Sequence, residues 1–227
     1  MNVHRRSSAP HLHPASAWSI KAPADDDLLL YASTDSSIEV ALRRLFPGAA
    51  PFRSAHHTVA FILRGRARFL RDSGEIVEAL PGSLLHFKQS WSGRVEVAET
   101  LEFSSMTCPG APSAETPVLR DVLAAAPLKD WGVIPTMLQG TSHTAGILLS
   151  RDPDKRAESG IWTCTPGTWL CEVTSDEYCH FLDGSCTYTH QSGENIEIEP
   201  DTLAFFPRGW KGPCEVRRTI RKVYLIR

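Results

Sequence analysis

The chain repeats itself at a fixed spacing of 119 residues, and no other feature of the sequence limits its possible folds as strongly. When residues 28–103 are placed over residues 147–222 without gaps, 20 of the 76 positions are identical. Many of the identical residues are of types that form turns and cores, including Pro47/Pro166, Gly65/Gly184, Pro81/Pro200, Phe87/Phe206 and Trp91/Trp210. The chain is therefore a tandem duplication, and we expect two copies of one folding unit.

Each copy has the pattern of an all-β unit. Short runs of alternating apolar and polar residues are separated by turns rich in Gly, Pro or Ser-Gly. In the first copy these runs are Val59–Leu63, Arg66–Leu70 and Ile76–Ala79, and in the second they are Tyr178–Leu182, Ser185–His190, Asn195–Glu199, Leu203–Phe206 and Val216–Ile226. Many short strands at such spacing predict a sandwich or a small barrel.

The repeat also sets the predicted boundaries. Residues 1–16 are predicted to be a flexible tail, residues 17–105 an N-terminal barrel and residues 141–227 a C-terminal barrel. Between them, residues 106–140 are predicted to be a linker that begins with the Pro-rich string CPGAPSAETP. A short helix is predicted at Val118–Ala126, followed by an irregular run to residue 140.

Composition excludes several classes of protein. Lys and Arg number 24 against 26 Asp and Glu, so no basic nucleic-acid footprint is present. No apolar run approaches the roughly 18 residues of a membrane span, and no apolar core follows the charged start as it does in a secretory signal. We therefore expect a cytoplasmic protein without membrane or nucleic-acid partners. None of the six Cys forms a CxxC pair, which predicts reduced, buried thiols.

The second copy carries a string of short motifs. It reads GIWTCTPGTWLCEV and DEYCHFLDG, then FPRGWKG and RKVY near the end. This string resembles the RmlC-like cupin superfamily, and specifically the cupin domains grouped with the C-terminal half of (S)-ureidoglycine aminohydrolase. Through the repeat, the resemblance implies a bicupin. The implied fold is two tandem cupin barrels, each a double-stranded β-helix or jelly roll, joined by a short helical linker.

The resemblance also implies where a metal would bind. In metal-dependent cupins, four positions supply three His and one Glu. Those positions are occupied in the second copy by Cys171, Val173, Glu177 and Gly212, and in the first by Phe52, Ser54, Thr58 and Gly93. One Glu with one Cys is a poor ligand set for iron or manganese. We predict no metal and no other cofactor in either copy.

The interior of the second copy supplies the candidate site. If Glu177 faces inward, Cys179 does so too, because strand side chains alternate. Cys171 faces the same interior, and Trp162 and Trp210 either wall a pocket or pack at the barrel ends. Glu177 is the candidate catalytic residue, as an acid or base for a small ligand. A structural role for Glu177, held by a backbone amide or by Arg221 or Lys222, is the alternative.

Three functions remain open from the residues. The first is a metal-free bicupin that binds a small polar metabolite, such as a sugar or an amino or ureido acid. The second is an enzyme of the aminohydrolase or isomerase kind that uses Glu177. The third is a structural or regulatory interaction protein. In each case an open barrel edge predicts self-association, with a homodimer as the simplest solution.

Overall fold

The computed structural model describes residues 18–21, 28–32, 38–108, 127–151 and 157–227. All regular secondary structure within these ranges is β-strand, as the alternating pattern predicts. No helix in the described part of the chain has the length and hydropathy to cross a membrane.

Seven strands lie in the first copy and nine in the second, preceded by one short strand. The short strand that precedes both copies is β1 (Trp18–Lys21). The first set is β2 (Leu28–Ala32), β3 (Glu39–Leu45), β4 (Gly48–Arg53), β5 (His57–Arg71), β6 (Ile76–Ala79), β7 (Leu84–Phe87) and β8 (Ser92–Cys108). The second set is β9 (Lys129–Val133), β10 (Met137–Gln139), β11 (His143–Arg151), β12 (Glu158–Cys164), β13 (Gly167–Glu172), β14 (Glu177–Thr189), β15 (Asn195–Ile198), β16 (Thr202–Phe206) and β17 (Lys211–Ile226). These counts refer to the described residues.

The strands divide between two compact units. In the first unit, the described strands form a seven-stranded sheet in which the path β2-β3-β8-β5-β6 is joined by β4 and β7. In the second unit, they form a ten-stranded sheet with the path β1-β16-β14-β17-β12-β11-β9, joined by β10, β13 and β15. In both sheets the described strands pair in antiparallel fashion.

The strand pairings of the two units correspond at the spacing of the sequence repeat. Four pairs show this: Phe52 with Gly93 matches Cys171 with Gly212, and Thr58 with Phe87 matches Glu177 with Phe206. Every partner in the second unit lies 119 residues after its counterpart. The duplication is therefore preserved in hydrogen-bond register as well as in residue identity.

A pair of glycines explains one part of this shared register. Gly65 and Gly184 interrupt the long strands β5 and β14 with φ values of 81° and 90°. A Cβ at either position would overlap a backbone carbonyl on the opposing strand, that of Thr100 or Thr219. Both glycines are needed because the backbone is left-handed there and the opposing strand is too close for a side chain.

Two departures from the predicted boundaries concern short strands. The strand β1 pairs with β16 of the second unit, with Trp18 opposite Phe205, although it precedes the first copy in the chain. The region from 127 to 140, predicted to be irregular, contains β9 and β10, which pair with β11 and β13. Their pairing depends on distant strands, which local pattern does not reveal. The predicted helix at Val118–Ala126 lies outside the described residues.

Each unit has its own hydrophobic core. The first core consists of Ala60, Ile62, Ala67, Phe69, Ala79, Leu85, Phe87, Trp91, Val95, Val97 and Leu101. The second core consists of Cys164, Cys171, Val173, Cys179, Phe181, Cys186, Tyr188, Ile196, Ile198, Ala204, Phe206, Trp210, Cys214, Val216, Ile220 and Tyr224. All five Cys in the second core are free and buried, so the predicted burial of these thiols is confirmed.

Candidate functional site

The strand β14 presents two different faces. Cys179 and Phe181 belong to the second core, and Glu177 lies on the same face because strand side chains alternate. Tyr178 and His180 are also buried but are not part of that core. His180 therefore points away from the interior of the second unit, as its spacing from Glu177 predicts.

A lysine on β17 neutralises the interior glutamate. Lys222 Nζ donates a hydrogen bond to Glu177 Oε1 at 2.7 Å, and the two side chains are only 8% and 20% exposed. Of the partners that the sequence left open for Glu177, the structure selects Lys222. The Sγ of Cys179 donates to the same oxygen at 3.4 Å. The result is an ion pair at the edge of an apolar core.

The register of β17 explains the rest of the lysine's surroundings. Lys222 lies opposite Trp162 of β12 on one side and Phe181 of β14 on the other. Its Nζ is 4.8 Å from the Trp162 ring centroid and 5.7 Å from that of Phe181. Cation–π attraction from both rings adds to the bond with Glu177, and the ammonium is fixed between them.

The charge states at this site follow from burial and proximity. Burial by itself lowers the pKa of Lys222, but Cys179 and Glu177 oppose it and the net pKa lies above the usual value. Burial raises the pKa of Cys179 well above its ordinary value, and it raises that of Cys171 as well. At neutral pH the lysine is charged and both thiols are neutral. Neither an ammonium nor a neutral thiol is an effective nucleophile.

A second polar group lies beside the ion pair. Tyr224, two residues after Lys222, donates from its hydroxyl to Glu158 Oε1 at 3.0 Å. The other oxygen of Glu158 accepts from Arg151 Nε at 2.8 Å. Burial, followed by the charge of Glu158, raises the pKa of Tyr224, and Lys222 lowers it in part. The tyrosine is therefore a neutral donor to Glu158 at neutral pH.

The tyrosine fits because its cross-strand partner has no side chain. Gly160 lies opposite Tyr224 in the β12–β17 register. A Cβ at Gly160 would lie 2.6 Å from the tyrosine hydroxyl and 2.8 Å from its ring. Sequence reasoning missed Tyr224 and Glu158 as site residues. The signal was available, since the period of two places Tyr224 on the face of Lys222 and Glu158 on the face of Trp162.

The structure brings together three of the five predicted pocket residues around Lys222. Trp162, Glu177 and Cys179 each contact its ammonium or the carboxylate bound to it. Cys171 is buried in the same core and is influenced electrostatically by both Glu177 and Lys222.

Trp210 lies in a different part of the second core. It is 5% exposed and packs against Phe206 and Tyr188 with ring centroids 5.3 and 5.8 Å apart. The other predicted wall residue, Trp162, is only partly buried and meets Trp169 at 6.4 Å. The partly buried Trp162 and Trp169 mark the accessible side of this core, whereas Trp210 contributes packing.

The residues at the predicted metal-ligand positions do not form a metal site. Val173 and Gly212 offer no donor side chain, and Cys171 is a neutral thiol. The remaining carboxylate, Glu177, already binds an ammonium at 2.7 Å, and that positive charge opposes a metal cation. No group of three or more His, Cys, Asp or Glu suited to metal binding occurs in the described ranges.

The first unit lacks the ion pair and the tyrosine of this site, although Glu39 occupies the position of Glu158. Thr58 stands in place of Glu177, Phe103 in place of Lys222 and Ser105 in place of Tyr224. Phe52 replaces Cys171 and packs into the first core, with its ring centroid 4.9 Å from those of both Phe69 and Phe87 and 5.5 Å from that of Trp91. At the position of Cys171, the first unit therefore adds a fourth aromatic ring to the three that correspond to Tyr188, Phe206 and Trp210 of the second unit.

Comparison with known protein families matches the second unit. Residues 151–224 fit the model of the EutQ-like cupin domain family. The second unit contains a cupin domain. The match includes Glu158, Glu177, Lys222 and Tyr224, so the site described above lies within the cupin domain. No curated protein sequence matches the chain.

Solved structures share the fold over most of the chain. A protein of unknown function of the DUF861 family from Pseudomonas syringae pv. tomato is similar at a TM-score of 0.72 and 14% identity, covering 88% of this chain and 85% of its own. The protein Ylba from E. coli is similar at a TM-score of 0.62 and 12% identity, covering 97% and 94%. A cupin 2 conserved barrel domain protein from Leptotrichia buccalis is similar at 0.61 and 9%, covering 96% and 91%. At these identities the likeness concerns the fold of the cupin domain and its neighbour alone.

Proposed function

We propose that the chain is a metal-free bicupin whose C-terminal cupin domain binds a small polar metabolite. The observation that carries this proposal is the ion pair of Glu177 and Lys222. It lies on the interior face of an otherwise apolar core, beside the partly buried Trp162. A binding site for a small molecule combines an apolar wall with a few convergent polar groups, which is what these side chains provide.

The two tandem barrels of this proposal are supported by the repeated strand register. The first barrel, with Thr58 and Phe103 at the positions of the ion pair, serves as a scaffold and takes no ligand. Its aromatic cluster around Phe52 contains no charged group to orient a small molecule.

Turnover by the second barrel receives less support than binding. An enzyme of the aminohydrolase or isomerase kind would use Glu177 as an acid or base. That carboxylate is held by Lys222 and Cys179. Because the lysine is charged and the thiols are neutral, these neighbours supply no nucleophile.

A thermal-shift screen with neutral, acidic and basic metabolites tests the proposal. We expect at least one compound to raise the melting temperature of the wild-type chain in a concentration-dependent way. The shift is expected to disappear in Glu177→Gln and to persist in Thr58→Ala, which is the matched change in the first unit. The proposal fails if a ligand stabilises Glu177→Gln as strongly as the wild type, or if no compound in the screen produces a shift.

A further inference from the structure

The charges at the candidate site cancel within the site itself. Glu177 is neutralised by Lys222 at 2.7 Å, and Glu158 by Arg151 at 2.8 Å. Tyr224, a neutral donor two residues after Lys222, binds Glu158. The site therefore combines two carboxylates and two cations without a net charge.

Hydrogen-bonding capacity remains at the ion pair after these bonds are made. Both Lys222 and Cys179 donate to Oε1 of Glu177, and no described residue donates to Oε2. Lys222 has three N–H groups, yet Glu177 is its one oxygen or nitrogen acceptor among the described residues. The pair thus offers a ligand one acceptor oxygen and unused donors in the same place.

The aromatic side of the site adds an apolar contact. Trp162 and Trp169 are partly buried against the second core, with ring centroids 6.4 Å apart at an interplanar angle of 68°. Rings that keep part of their surface accessible beside polar groups bind the apolar face of a ligand whose edge forms hydrogen bonds.

Building on the proposed function, we infer that the ligand is an uncharged molecule with several hydrogen-bonding groups and an apolar face. An ionic ligand loses its hydration on entry and meets no opposite charge that is not already paired. A neutral ligand loses less hydration and uses both the free acceptor of Glu177 and the donors of Lys222. Monosaccharides and small amides share this chemistry.

Two size-matched series of ligands test the inference on the full-length wild-type protein. The sugar series is D-glucose, D-glucuronate and 6-amino-6-deoxy-D-glucose, and the amide series is lactamide, lactate and 1-amino-2-propanol. Each series holds a neutral, an anionic and a cationic member, and calorimetric titration at pH 7.5 measures their affinities. We expect the neutral member to bind about tenfold or more tightly than its charged relatives in the series that fits.

Single substitutions at the ion pair are expected to change the preferred charge. Lys222→Met leaves Glu177 unpaired, so preference shifts toward the cationic member. Glu177→Gln leaves Lys222 unpaired, so preference shifts toward the anionic member. Lys211→Met, which breaks an exposed pair with Glu172, is the control and retains the neutral preference. Melting temperatures identify any variant that fails to fold, and the wild-type series decides the question without the variants.

The outcomes separate this inference from the proposed function. Tightest binding by a charged member in wild-type protein overturns the inference and leaves the binding function standing. Absence of saturable binding by all six compounds, together with no shift in the thermal screen, overturns the proposed function and the inference with it. The proposed function and the inference are both supported if the wild type prefers the neutral member, Lys222→Met prefers the cationic member and Glu177→Gln prefers the anionic member.

Discussion

At the scale of single residues, the second unit differs from the first by a few interior substitutions. Glu177 and Lys222 form a salt bridge at the two positions that Thr58 and Phe103 occupy in the first unit. A buried ion pair is not in itself a large source of stability, because its desolvation offsets much of its attraction. Folding stability by itself therefore does not account for an ion pair inside this apolar core.

Breaking this pair from one side is expected to be costly. Lys222→Met should lower the free energy of unfolding by about 3 kcal/mol, because a largely buried carboxylate loses its partner. The double variant Glu177→Gln/Lys222→Met should lose much less, since no unpaired charge remains. Urea unfolding of the wild type, both single variants and the double variant measures the coupling. Lys211→Met, at an exposed pair, should change stability by about 0.5 kcal/mol or less. The expectation is wrong if the loss of unfolding free energy in the double variant equals the sum of the losses in the two single variants.

Two buried histidines of the first unit are expected to lower the free energy of unfolding in acid. The rings of His57 and His86 meet with centroids 3.8 Å apart, and their nitrogens have no hydrogen-bond partner among the described residues. Burial lowers the pKa of His57 from 6.5 to about 4 and, with the charges of His57 and Lys88, that of His86 to about 2. Both histidines are therefore neutral in the folded chain at neutral pH.

The sign of the effect follows from these lowered values. As the pH falls below 6.5, histidines of the unfolded chain take up protons while the folded ones do not, so stability declines toward pH 4. At pH 5 we expect each histidine to contribute a loss of about 2 kcal/mol. Phe205 occupies the position of His86 in the second unit, so His86→Phe is a matched change. It should remove about half of the loss of unfolding free energy between pH 7 and pH 5, which denaturant unfolding at both pH values measures. An unchanged pH dependence would refute the assignment, and the exposed His143→Gln is the control.

At the scale of strands, the long elements β8 and β17 organise the two units. The C-terminal half of β17 pairs with β12, and its N-terminal half pairs with β13. The C-terminal half of β17 thus places Lys222 and Tyr224 next to Trp162 and Glu158 of β12. Its N-terminal half pairs with β13 and contributes core residues. The site depends on this division because its side chains come from three strands, β12, β14 and β17, and β17 pairs with both of the others.

The short strand β1 is expected to protect an edge of the second unit. It pairs with β16 from Trp18 opposite Phe205 to Lys21 opposite Thr202. Removing residues 1–21 leaves that edge of β16 without backbone partners. Hydrogen–deuterium exchange of the peptide that contains β16 should become faster, whereas exchange of the peptide that contains β7 in the first unit should stay the same. Equal exchange of the β16 peptide in both proteins would show that β1 does not protect it.

At the scale of the whole molecule, the homodimer stays a prediction. The strand β9 ends the path of the second sheet, and it carries Trp131 and Val133 with exposed fractions of 41% and 47%. Leu138, on the next strand in the chain, β10, is 61% exposed. An apolar edge strand favours pairing with another copy.

Light scattering over a range of concentrations measures this association. We expect the wild type to reach the mass of a dimer and Val133→Lys, which places a charge on the edge, to remain a monomer. A wild-type protein that stays at the monomer mass at high concentration would exclude the dimer. Equal dimerisation of Val133→Lys would move the interface away from β9.

The sequence alone determined the features that depend on short-range pattern and on the repeat. The alternation of apolar residues predicted the strands, the shift of 119 residues predicted the shared register, and the period of two placed Glu177 with Cys179. The motifs of the second copy predicted the cupin domain. Tertiary structure alone decided which cation holds Glu177, because Arg221 and Lys222 are adjacent and only the pairing of β17 selects between them. It also decided the pairing of β1 and the bond between Tyr224 and Glu158, since both join residues far apart in the chain and no local pattern encodes them.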